Sequence, residues 1–164
     1  MNKKVMISVV VSLLLGVAGF FYQRYRIPPT IALPAIALTD LHGQPASMTA
    51  FVGKPLFISF FATWCGPCRR EMPELAAMHQ LLSPYHLAII AISDEPIALL
   101  QTLQAQIGNE VLILHSTRSL HDMGVYTFPT NYIYTADGKK VYEQVKPENW
   151  TDEAVIERVK KMIE

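Results

Sequence analysis

Residues 57–75 have the sequence FISFFATWCGPCRREMPEL, which contains the clearest signals of the fold. It begins inside Leu56–Phe61, a nearly continuous apolar run that predicts a central, fully buried strand. A helix is predicted from about Pro67, because apolar residues recur along one face. The only two cysteines of the chain, Cys65 and Cys68, lie between the strand and the helix. The apolar helix positions are Met72, Leu75, Met78 and Leu82.

The position of the cysteines predicts redox chemistry. A helix N-terminus offers free backbone N–H groups and the positive end of the helix dipole, and both stabilise a thiolate. Cys65 is therefore predicted to be the exposed nucleophile. Cys68 lies almost one helical turn further on and can attack the mixed disulfide that Cys65 forms, which releases the product. Pro67 suits the first helical turn, where no N–H partner is needed.

A Cys-x-x-Cys pair can also bind a soft metal ion, so a second class of function stays open. Zinc would need two further ligands, and the histidines of the chain show no ligand spacing. The alternative to the enzyme is a Cu(I) metallochaperone that uses the two thiolates. A reversible two-electron couple would mark the enzyme, and tight Cu(I) binding that blocks alkylation would mark the chaperone. The five histidines are His42, His79, His86, His115 and His121.

The chain around residues 57–75 predicts an α/β domain. The order is strand, helix, strand, helix, strand, then a hairpin and a last helix, which predicts a mixed sheet with helices on both faces. Ser93 or Asp94 is expected to cap the second helix, and Thr151 the last one. Trp150 is expected to pack on the surface. The other predicted strands are 36–39, 45–48, 87–92, 111–114, 131–135 and 139–144, and the inner positions of the second and last helices are Leu99, Leu103, Ile107, Val155, Val159 and Met162.

The chain has 164 residues, enough for one domain and an appendage, and 14 basic residues balance 14 acidic ones. A nucleic-acid binder would usually show a basic surplus. After a short tail, residues 1–4, the segment Val5–Tyr22 carries no charge, which predicts an uncleaved transmembrane signal anchor rather than a cleaved signal peptide. Residues 23–35 contain three prolines and predict a stiff linker. The basic residues slightly favour a cytoplasmic N-terminus, with the remaining domain outside the cytoplasm.

Residues 57–75 resemble the thioredoxin superfamily, and more closely its membrane-anchored TlpA/ResA/DsbE-like branch. The resemblance covers about residues 36–164 and implies a thioredoxin-like domain with a central mixed sheet flanked by helices. It implies that Pro73 kinks the active-site helix. It also implies that Phe128-Pro129-Thr130 forms a cis-proline loop, which lies against the dithiol and docks the substrate backbone.

The same resemblance implies further site residues. Trp64 is expected beside the dithiol, and Gly66 and Pro67 are expected to contact substrate with it. Glu71 falls where this branch often has an acidic residue, so it is either a buried carboxylate that moves protons for Cys68 or an ordinary surface residue. Ser59 stands where thioredoxin carries a buried aspartate, and a serine cannot serve as a comparable base.

The activity implied is thiol–disulfide exchange with partner proteins, in the direction of a reductase, with no cofactor besides the Cys65–Cys68 disulfide. The expected location is the bacterial inner membrane, with the domain facing the periplasm or cell exterior. The expected electron donor is a membrane protein of the DsbD/CcdA type, and apocytochrome c is the common substrate of the branch. No nucleic-acid partner is expected.

Overall fold

The computed structural model describes residues 3–24 and 36–164. Helix α1, Lys3–Arg24, and the segment from residue 36 onward belong to two separate compact units. A helix was expected over residues 5–22, and it extends to the basic residues on either side. Among the described residues, no helix is long and apolar enough to cross a membrane. Residues 1–2 and the linker residues 25–35 lie outside the described part.

Residue 36 onward forms one mixed sheet of seven strands in the order β2-β1-β5-β4-β3-β6-β7. The central strands β3, β4 and β5 run parallel, and all the other pairings are antiparallel. The mixed sheet was expected, and the element boundaries agree with the sequence pattern to within about two residues. The strands are β1 Leu38–Thr39, β2 Pro45–Ala46, β3 Leu56–Phe60, β4 Ala88–Ser93, β5 Leu112–Ser116, β6 Thr130–Tyr134 and β7 Lys140–Gln144.

The α-helices of this unit all pack on the same face of the sheet. They are α2 Gly66–Leu81, α3 Ile97–Ile107 and α4 Glu153–Ile163. The expectation of helices on both faces is wrong. The connections β3-α2-β4 and β4-α3-β5 step across the sheet in one direction, and successive right-handed crossovers then place both helices on one side. In the described residues, the opposite face carries no α-helix and is covered by the short 3-10 helix Met48–Phe51 and by the segment 117–128.

Two predicted helix caps are wrong. Pro96 precedes α3 without a side-chain cap, and Asp94 accepts the Leu120 N–H at 2.8 Å instead. Asp152, not Thr151, caps α4, and its Oδ1 accepts the Ala154 N–H at 2.9 Å.

In α3 and in α4, one of the residues predicted to face the core is wrong, and its neighbour in the sequence is buried instead. In α3 the buried residues are Leu100 and Leu103, whereas Leu99 is exposed. In α4, Val155 and Val159 are buried as expected, but Ile163 replaces Met162 as the buried residue of the last turn.

Trp150 is fully buried, which corrects the expectation of a surface position. Its ring lies edge-on to Phe57 of β3, with 4.8 Å between centroids, and to Tyr142 of β7, at 6.3 Å. Its backbone N–H donates to the Glu74 carboxylate of α2 at 3.1 Å. The loop that joins β7 to α4 is therefore tied both to the sheet and to the cysteine-bearing helix.

Candidate active site

The two cysteines form a disulfide at the N-terminus of α2. Cys65 is the N-cap residue, and its Sγ accepts the Cys68 N–H at 3.2 Å. The Cys65 N–H in turn donates to the Ala62 carbonyl at 3.0 Å, which closes a tight turn between β3 and α2. The helix start expected near Pro67 is confirmed, and Pro67 lies in the first turn. A thiolate formed at Cys65 would therefore meet a backbone N–H that already points at the sulfur.

Both cysteines are almost inaccessible to solvent, and Cys65 is slightly more exposed than Cys68. The Cys65 side chain is 5% exposed and that of Cys68 is 0% exposed, so Cys65 is less open than expected. The neighbouring Trp64 is 74% exposed. Its ring lies edge-on to Phe128, with 5.9 Å between centroids. A partner that approaches Cys65 therefore meets a large aromatic side chain that is free to make contacts.

The predicted proline loop lies at the same end of the strands as the disulfide, beside the carboxyl end of β3. The Phe128–Pro129 peptide bond is cis, as expected. Strand β6 begins just after it and pairs antiparallel with β3, so the start of β6 and the end of β3 are neighbours. Pro129 is buried, and the Thr130 hydroxyl donates to the Thr127 carbonyl at 2.7 Å. The Thr130 side chain thus holds the loop, and the Trp64–Phe128 contact brings the loop to the cysteine turn.

Glu71 is buried in the domain, which excludes the alternative of an ordinary surface residue. It is 2% exposed, and it follows Cys68 by three positions on the buried face of α2. Its Oε1 accepts the Glu148 N–H at 2.8 Å, and its Oε2 accepts a long bond of 3.4 Å from Asn131 Nδ2. Burial is the largest influence and raises the pKa of Glu71, while these donors oppose the rise and the charge of Glu74 adds to it. The Trp150 indole N–H also lies near enough to favour the charged form, although it makes no hydrogen bond of good geometry.

Ser59 and Asn131 are two further buried polar residues, on neighbouring strands of the sheet. They are direct partners in the β3–β6 register and are 1% and 0% exposed. In the described part of the chain, neither Ser59 Oγ nor Asn131 Oδ1 has a hydrogen-bond partner. Sequence reasoning missed Asn131, because only the register of the two strands places it beside Ser59 and Glu71.

Glu95 was also missed. It follows the end of β4, and its carboxylate binds Thr63, two residues before Cys65. The general rule that sites form at the carboxyl ends of parallel strands would have pointed to it. Within residues 3–24 and 36–164, no three Cys, His, Asp or Glu side chains come together as a metal-binding group.

Fold and site together define a thioredoxin-like thiol–disulfide oxidoreductase. Residues 30–142 match the model of the AhpC/TSA family, and the chain belongs to that family. The thiol-disulfide oxidoreductase ResA of Geobacillus thermodenitrificans is 28% identical over 147 residues, which cover 84% of this chain and 84% of the relative. The ResA of Bacillus anthracis is 30% identical over 130 residues, covering 77% of this chain and 75% of that protein.

A solved structure shares the fold. It is a secreted Mycobacterium tuberculosis disulfide oxidoreductase homologous to E. coli DsbE, with a TM-score of 0.62 and 20% sequence identity. The superposition covers 79% of this chain and 95% of the other. At this identity, the likeness supports the domain architecture and leaves the function to be argued from the site.

Proposed function

We propose that the protein reduces disulfide bonds in partner proteins outside the cytoplasm, with Cys65 as the nucleophile and Cys68 as the resolving cysteine. The observation that carries this assignment is the Cys65–Cys68 disulfide at the N-terminus of α2, in which Cys65 is the N-cap and accepts the Cys68 N–H. Cys65 is also the cysteine that keeps some contact with solvent.

The exchange reaction has two steps. In the reduced protein, the Cys65 thiolate attacks one sulfur of the partner disulfide, forms a mixed disulfide and releases the other partner sulfur as a thiolate. Cys68 then loses its proton and attacks the Cys65 sulfur, which forms the Cys65–Cys68 disulfide and releases the second partner sulfur. Two electrons pass to the partner, and the released thiolates take up protons. The reduced Cys65/Cys68 dithiol supplies both electrons and becomes the disulfide, so the reaction needs no other cofactor.

Glu71 is the proposed proton acceptor for Cys68. Cys68 is fully buried, so its proton has no direct route to water. Glu71 lies on the same buried face of α2, and its raised pKa makes the carboxylate a better base than an exposed glutamate. Ser59 cannot take this part because a serine hydroxyl does not act as a base near neutral pH.

The direction of a reductase is supported by the burial of both sulfurs. Strong oxidants of this class stabilise their reduced form, in which one cysteine is a thiolate. Here the two sulfurs are almost fully buried, and burial disfavours a charged thiolate. The Cys68 backbone N–H donates to the Cys65 sulfur and opposes this effect, but it is a single donor. The pair Gly66-Pro67 also resembles the dipeptide of reducing thioredoxins.

The proposed partners follow from the chemistry. The substrates are proteins with an accessible disulfide, and apocytochrome c is the candidate that the family resemblance supports. After each cycle the Cys65–Cys68 disulfide must be reduced again. Outside the cytoplasm, that step needs an electron donor in the membrane, and we propose a dithiol protein of the DsbD/CcdA type.

The proposal is tested by trapping mixed disulfides and by measuring the midpoint potential of the Cys65–Cys68 pair. Cys68→Ala leaves the mixed disulfide unresolved, so partners should accumulate as reducible adducts in the native cell, and Cys65→Ala should form none. The midpoint potential of the wild-type pair, measured against thiol buffers, should lie near the value of about −270 mV of thioredoxin rather than the −120 mV of DsbA. A potential near that of DsbA would reject the reductase. Tight Cu(I) binding without disulfide exchange would instead support the metallochaperone.

A further inference from the structure

Glu95 uses both carboxylate oxygens to hold the turn that precedes the cysteines. Its Oε2 accepts the Thr63 backbone N–H in a short hydrogen bond, and its Oε1 accepts the Thr63 hydroxyl at 2.8 Å. Oε2 also accepts the Ser93 hydroxyl at 3.3 Å, and the Glu95 N–H donates back to the Ser93 Oγ at 3.2 Å. The Glu95 carboxylate, held by Ser93 at the end of β4, therefore binds Thr63, which follows β3.

Thr63, the residue that Glu95 binds, lies beyond the last hydrogen bond between β3 and β4. Strand β3 ends at Phe60, and the Phe61 N–H still donates to the Ile92 carbonyl of β4 at 3.0 Å. Thr63 lies beyond that bond and is only partly buried. The next residue, Trp64, is 74% exposed, so burial does not hold it in place. Cys65 follows immediately, within about 7.6 Å of Thr63 along the Cα trace, so a shift of Thr63 reaches the sulfur.

We propose that Glu95 is a positioning residue for thiol–disulfide exchange, which fixes the Thr63–Cys65 turn so that the Trp64 ring and the Cys65 sulfur are presented together to the partner. The inference rests on the proposed role of Cys65 as the nucleophile. Glu95 itself acts through Thr63. It also places a negative charge near the turn, and the experiment separates this charge from the hydrogen bonds.

Four variants make that separation. Glu95→Ala removes the hydrogen bonds and the charge, whereas Glu95→Gln removes the charge and keeps an acceptor for the Thr63 N–H. Thr63→Val removes only the side-chain bond. Asp94→Asn is the matched control, because it removes a charge from the adjacent residue while its own bond goes to the Leu120 N–H. Each full-length variant is assayed for insulin reduction with dithiothreitol as donor, for iodoacetamide alkylation of reduced Cys65, and for thermal stability.

Glu95→Ala loses both hydrogen bonds to Thr63 and should lower kcat/KM for insulin about tenfold. Thr63→Val loses one of these bonds and should lower kcat/KM about threefold. Part of the loss should appear as a higher KM, because the Trp64 ring is no longer held for docking. Glu95→Gln should restore activity to within about threefold of wild type, and Asp94→Asn should match wild type.

Two results would overturn the proposal. In the first, Glu95→Ala has the kcat/KM for insulin and the Cys65 alkylation rate of the wild type. In the other, Glu95→Gln is as impaired as Glu95→Ala, which would assign the effect to charge. If Glu95→Ala does not fold, Glu95→Gln and Thr63→Val decide, and wild-type activity in both then rejects the positioning role. Failure of the proposed function looks different, since Cys65→Ser would then reduce insulin as well as wild type.

Discussion

Replacing Glu71 with Gln should abolish the pH dependence that this buried carboxyl gives to folding. Burial raises the pKa of Glu71 above its ordinary value of 4.5. Because the folded-state pKa is the higher one, the stabilisation from this group is fully present below about pH 4.5 and is lost as pH rises through the folded value. Glutamine has nearly the same shape and keeps an acceptor for the Glu148 N–H, but it does not ionise.

The expected size follows from the same linkage. Between about pH 4 and pH 8, the free energy of unfolding of Glu71→Gln should increase relative to that of wild type. The increase is about 1.4 kcal/mol for every tenfold weakening of the acid in the folded protein. In a domain of this size, each kcal/mol moves the midpoint of thermal unfolding by about 4 °C.

The assay is thermal and urea unfolding of the oxidised full-length protein at several pH values, so that the disulfide stays intact in every sample. Glu74→Gln is the matched variant. Glu74 accepts the Trp150 N–H from the loop that also contacts Glu71, so its replacement measures what a carboxylate bond to that loop contributes. Parallel pH curves for Glu71→Gln and wild type would contradict this prediction, because they would show that the pKa of Glu71 is not raised in the folded protein.

Three further outcomes can be measured. In the reduced protein near pH 7, iodoacetamide should modify Cys65 at least about tenfold faster than Cys68, because the Cys65 sulfur caps the helix and keeps some solvent contact; equal rates would reject the nucleophile assignment. Trp150→Phe should lower the free energy of unfolding by about 1–3 kcal/mol in urea titration, because the smaller ring leaves a cavity beside Phe57; an unchanged midpoint would contradict this packing. Membrane attachment through residues 5–22 stays a prediction from the sequence: if it holds, alkaline carbonate leaves the full chain in the membrane fraction, whereas release as a soluble protein rejects it.

The local structure around the cysteines could be predicted from the sequence alone. An apolar run, a Cys-Gly-Pro-Cys turn and an amphipathic helix follow one another within residues 56–82, so near neighbours in the chain fix their conformation. The family resemblance added the cis peptide before Pro129 and the acidic position at Glu71. The structure confirms the cis bond, and of the two alternatives left open for Glu71 it shows the buried one.

The distant side chains that reach the disulfide turn and Glu71 are placed there by tertiary contacts. Glu95 binds Thr63 from 32 residues away, and Asn131 binds Glu71 from 60 residues away. These contacts depend on strand order and register. Strand β3 is buried on both faces, and its continuous apolar pattern does not say which strand lies beside it or in which register. The single helical face of the sheet and the burial of Trp150 have the same origin, because crossover direction and the packing of a loop are set by the assembled sheet rather than by any one segment.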